Sequence, residues 1–69
     1  MEQNNVANVA VRIRAARQGR GISQRELARA VGVAQSTLSR IERGERRVSV
    51  DRLIAIARAL GVRPSDMMG

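Results

Sequence analysis

Between residues 31 and 44 the chain reads VGVAQSTLSRIERG, and its polar members share one kind of chemistry. Gln35, Ser36, Ser39, Arg40 and Arg43 offer hydrogen-bond donors and acceptors, with no neighbouring group able to activate any of them as a nucleophile. Their chemistry is that of recognition: short serines permit close approach, while glutamine and arginine reach out with paired polar atoms. The rest of the sequence agrees. It contains no His, Cys, Lys or Tyr, so the commonest acids, bases and nucleophiles are missing and catalysis is not expected. Without cysteine there is no disulfide. Without histidine or cysteine, six scattered carboxylates make a poor transition-metal ligand set, and no metal or cofactor is expected.

Charge indicates the kind of partner. The formal net charge is +7, and all thirteen cationic residues are arginine. Such an excess favours a polyanion, either nucleic acid or an anionic membrane surface. No apolar run approaches the ~18 residues of a membrane span. The segment VANVAVRIRAARQGR has the arginine-rich, acid-poor look of a membrane-surface helix, but its apolar residues are needed for the core of so short a chain. With no Phe, Trp or Tyr, that core must be built from Val, Ile, Leu, Ala and Met, a palette that suits helices.

Glycines at 19, 21, 32, 44 and 61 cut the chain into segments of helical length. Five helices are expected. The first runs from Asn5 or Val6 to Gln18, with Val6, Val9, Ile13 and Ala16 on one face. The second opens with Ser23 and Glu26 in capping-box spacing, turns Leu27, Ala28 and Val31 inward, and stops at Gly32. The third starts at Ala34 or Gln35 after a very short connection and ends at Gly44. The fourth follows Ser49 as N-cap and carries Leu53, Ile56, Ala57 and Leu60. Pro64 opens a fifth, one-turn helix through Met67.

At 100° per residue, Leu38 and Ile41 of the third helix point inward with Ala34 and Glu42 beside them, while Ser36, Ser39, Arg40 and Arg43 point outward. A helix docked by an aliphatic edge and presenting this polar edge fits a DNA major groove, where arginine pairs with guanine and glutamine with adenine. Glu42 on the inner side and Arg17 on the inner side of the first helix carry opposite charges on facing surfaces, and are expected to form a structural ion pair.

The whole pattern from Gln24 to Arg43, continued through ERRVSVDRLIAIARALGV, resembles the lambda-repressor and Cro class of helix-turn-helix DNA-binding domains, the XRE-type family of bacteria and phage, over roughly residues 9 to 67. The resemblance implies an all-α, compact five-helix bundle: residues 1–5 as a flexible terminus, 6–69 as one DNA-binding domain, 24–43 as the helix-turn-helix and 35–43 as the recognition helix. It also implies roles. Gln24 matches a glutamine that bonds a phosphate and props the recognition helix; Gln35, Ser36, Ser39 and Arg40 match base-facing positions; Thr37 and Arg43 flank them toward the backbone. The loop RGERRVS, with Arg47, matches a phosphate-contacting segment. In short members that act as restriction-modification controllers, an arginine at the place of Arg46 also reaches into the site. An Arg-Glu bridge at Arg17 and Glu42 belongs to the same family pattern.

The expected function is therefore sequence-specific binding of double-stranded DNA in transcription regulation, in a cytoplasm, with no small-molecule ligand. Because one such helix reads only a few base pairs, a homodimer is expected, and Leu60, Val62, Met67 and Met68 are candidates for its apolar contact. Two other readings compete. Single-stranded or RNA binding generally stacks bases on aromatics, which this chain lacks. A protein-interaction module of antitoxin or anti-repressor type could use the same fold, since fold alone does not fix function.

Overall fold

The structure is a computed structural model that describes residues 6–67. The terminus expected at residues 1–5, the side chain of Val6 and the dimer candidate Met68 lie outside them. Five helices follow one another: α1 (Val6–Gly19), α2 (Gln24–Val31), α3 (Gln35–Glu42), α4 (Val50–Leu60) and α5 (Pro64–Met67).

Local chemistry sets the boundaries. Ser23 and Glu26 form the reciprocal capping box, the serine Oγ accepting from the Glu26 N–H at 3.0 Å and the Glu26 carboxylate accepting from the Ser23 N–H at 2.8 Å. Those hydrogen bonds hold the Glu26 carboxyl below its ordinary range. The box therefore stabilises the fold above the usual carboxylate pKa and loses that contribution as pH falls through the lowered value. Ser49 caps α4 by accepting from the Arg52 N–H. At α3 the cap is missing: Ala34 has the extended backbone of an N-cap but offers no side-chain acceptor. Replacing Ala34 with Ser is expected to raise stability by ~1 kcal/mol, read as a shift in the urea midpoint without a change in slope.

Each left-handed glycine closes the preceding helix or turn in the same way. At Gly32, with φ of 81°, the Val33 N–H reaches back to the Ala28 carbonyl and the Gly32 N–H to Arg29. This is the Schellman pattern, and a Cβ-bearing residue would be strained in it.

The aliphatic faces meet in one core made of Val9, Ile13, Leu27, Ala28, Leu38, Ile41, Leu53, Ile56, Ala57, Leu60 and Met67. Ala16, Ile22, Val31, Val33, Val48, Ala59 and Val62 pack around it half-buried. Helix α4 packs on α1, α2 and α5, and α3 lies against α1 and α2, leaving its other side open. Ala34, expected beside the inner edge, is exposed, because it sits before the first helical turn. Of the dimer candidates, Leu60 and Met67 are 0% and 2% exposed and close the core between α4 and α5, so neither presents a surface to a partner in this structure, while Val62 is half-buried. Among the described residues, the large apolar side chains left in water are Val11 and Val50.

Candidate nucleic-acid interface

Position of the interface begins with how α3 is fixed. Glu42, 2% exposed, lies at its inner C-terminal end. The Arg17 guanidinium meets it in a two-pronged bridge, Nε donating to Oε2 at 2.7 Å and Nη2 to Oε1 at 2.9 Å. Nη1 of Arg17 donates to the Ile22 carbonyl at 2.9 Å, and Nε2 of Gln24 donates to Glu42 Oε1 at 3.1 Å. One carboxylate thus joins the end of α1, the first residue of α2 and the last of α3. The hydrogen bond to Glu42 raises the Arg17 pKa above its ordinary value, with burial acting the other way. No buried side-chain polar atom among the described residues lacks a partner, so the cost of burying this charge is met by hydrogen bonds.

Opposite that anchor lies the polar edge. Gln35, Ser36, Arg40 and Arg43 are exposed, and Thr37 and Ser39 half-buried. Arg46 and Arg47 are exposed in the 43–49 loop that follows. Ser39 and Arg43 are brought into contact, Nη1 of the arginine donating to the serine Oγ at 2.8 Å. Gln24 differs from its expected phosphate-facing placement in one respect: its amide nitrogen is committed inward to Glu42. Sequence reasoning also passed over Glu45, whose carboxylate takes two hydrogen bonds from Arg43, at 3.1 and 3.2 Å. The available signal was an acid set alone within RGERR.

Two short helices joined by a tight turn, the second anchored inward and presenting hydrogen-bonding side chains outward, define a helix-turn-helix protein. The helix-turn-helix family HTH_3 matches residues 13–67, and the chain belongs to it. The control protein C.BamHI of Bacillus amyloliquefaciens is 43% identical over 47 residues, 68% of this chain and 58% of its own length. The restriction-modification controller protein C.AhdI from Aeromonas hydrophila superposes with a TM-score of 0.86 at 32% identity, covering 90% of this chain and 94% of that one. SinR, the master regulator for biofilm formation solved in complex with DNA, gives 0.83 at 34% identity, covering 88% of this chain and 98% of that one. The chain spans between 27% and 58% of the length of the curated relatives it matches.

No helix among the described residues is long and apolar enough to cross a membrane, and among them no three His, Cys, Asp or Glu residues gather as metal ligands.

Proposed function

We propose that this chain reads a specific duplex DNA sequence and regulates transcription from it, with α3 in the major groove. The observation that carries the reading is the two-sidedness of α3: Glu42 clamps the helix inward while Gln35, Ser36 and Arg40 stand free on the outside. In this reading Gln35, Ser36, Ser39 and Arg40 face base edges, and Arg46 reaches in from the loop. Thr37, Arg43, Arg47 and the outer side of Gln24 meet phosphates. The controller proteins and the DNA-bound SinR among its relatives support a DNA-binding regulator.

In this reading the protein acts as a dimer, and its size supports that. An eight-residue helix is about 12 Å long and spans only three to four base pairs. The described domain measures 33 × 22 × 20 Å, so half-sites ~34 Å apart call for a second copy.

Selection from random duplexes at physiological salt tests the reading. An inverted repeat with half-sites one turn apart is the expected product; retention without sequence preference, or no retention, would refute sequence-specific reading. Role assignments separate by salt. Arg47→Ala is expected to weaken all duplexes alike and to flatten the slope of log K against log salt by about one. A loss confined to certain sequences would move Arg47 to the base-reading set.

A further inference from the structure

The glycines at 21, 32, 44 and 61 all have positive φ, and at each the residue after the glycine sends its N–H back to a carbonyl five residues earlier. At three of these turns that following residue is Ile22, Val33 or Val62, an aliphatic side chain half-buried against the core. Such a contact ordinarily accompanies this kind of turn. At the fourth it is Glu45. Its N–H bonds the Arg40 carbonyl at 2.9 Å, and its side chain, 56% exposed, is folded back along the outside of α3.

There it engages Arg43. The arginine's Nε and Nη2 donate to the two carboxylate oxygens at 3.1 and 3.2 Å, while Nη1 donates to Ser39 Oγ. This two-pronged geometry is the one by which arginine grips a phosphate. Arg43 pairing holds the Glu45 carboxyl below its ordinary range, with Arg40 adding a smaller pull in the same direction. Glu45 is therefore ionised at neutral pH and lies within the field of Arg40 in α3 and of Arg43 just after it.

We infer that Glu45 is an internal stand-in for DNA phosphate, which occupies Arg43 in the free protein and must be displaced for Arg43 to contact the duplex. The inference rests on the duplex-DNA reading of α3. Its consequence is a lower affinity for any duplex than the same chain would have with Arg43 unoccupied, and so less time held on non-cognate DNA. It has a salt signature too. When Arg43 leaves Glu45 for a phosphate, DNA releases a counterion but the freed carboxylate gathers one, so this contact adds almost nothing to the slope. With Glu45 neutral the same contact adds about one unit.

The test is a duplex titration, from ~0.05 to ~0.2 M salt, with the parent, Glu45→Gln, Arg43→Ala and the double variant. Glu45→Gln is expected to bind roughly 3- to 10-fold tighter at the low end, with a slope steeper by about one. In the Arg43→Ala background the gain should fall below about twofold. If Glu45→Gln binds equally or more weakly, Glu45 braces Arg43 for DNA and the inference is overturned. A gain of the same size in both backgrounds would also overturn it, as general repulsion acting without Arg43. A parent that binds DNA while Glu45→Gln gains nothing refutes this inference alone; if neither binds any duplex, the DNA reading falls and this falls with it. Both side chains are more than half exposed, so thermal melting should stay at the parental temperature and exclude a folding artefact.

Discussion

Glu42→Ala is expected to lower the stability of this domain by about 3 to 5 kcal/mol, the usual consequence of removing one partner from a buried ion pair. At ~4 to 8 °C per kcal/mol for a chain of this size, the melting temperature should fall by at least ~12 °C, followed by circular dichroism at 222 nm. The reasons are specific. Arg17, 12% exposed, would keep its bond to the Ile22 carbonyl but lose both prongs to the carboxylate, and the Gln24 amide would lose its acceptor. A melting temperature within about two degrees of the parent would mean that Arg17 reaches water easily and that the pair adds under ~1 kcal/mol. Replacing both partners, Arg17→Met with Glu42→Leu, separates stability from orientation. Apolar replacement of buried pairs is often neutral or stabilising, so the double variant should recover most of the melting temperature. If it also keeps sequence preference, packing alone suffices to aim α3.

Arg40→Ala is expected to leave the fold intact and to reduce discrimination at one operator position by about 10- to 100-fold, the value of one arginine fork on a guanine. Arg40 is exposed, and its backbone carbonyl rather than its side chain holds the turn at Gly44. Binding to random duplexes should fall only by the few-fold due to one lost charge. The measurement is a second selection with the variant, compared position by position with the parent's recovered site. A uniform drop across all sequences would place Arg40 on phosphate and leave Gln35 and Ser36 to read bases.

Much of this architecture is legible in the sequence because its signals are local. Gly32, Gly44 and Gly61 end helices where only a left-handed backbone continues the chain, and Ser23 with Glu26 declares a helix start by hydrogen bonds within four residues. The meeting of Arg17 with Glu42 could be expected from helical phase, since each lies on a face that must be inward. Phase fails where the same apolar residue serves either of two ends. Leu60 and Met67 are as suitable for a partner's surface as for the core, and only the docking of α5 on α4 and α1 decides for the core. The link between Arg43 and Glu45 is hidden for another reason. Residues two apart diverge on a helix, and these meet because the chain reverses at Gly44. The commitment of Gln24 to Glu42 depends on a rotamer that spacing does not specify.

The two ends of α3 are built unequally. Its last turn is bound by the Glu42 network and by the reversal at Gly44, while its first turn, carrying Gln35 and Ser36, follows a residue that supplies no cap. Amide exchange along the helix should therefore be graded, slowest near Leu38 and Ile41 and fastest at the leading turn. On the proposed reading, a helix of this kind would settle into a groove by adjusting its leading turn about a fixed rear pivot. The ordering entropy of recognition is then confined to a few residues instead of being drawn from the whole domain.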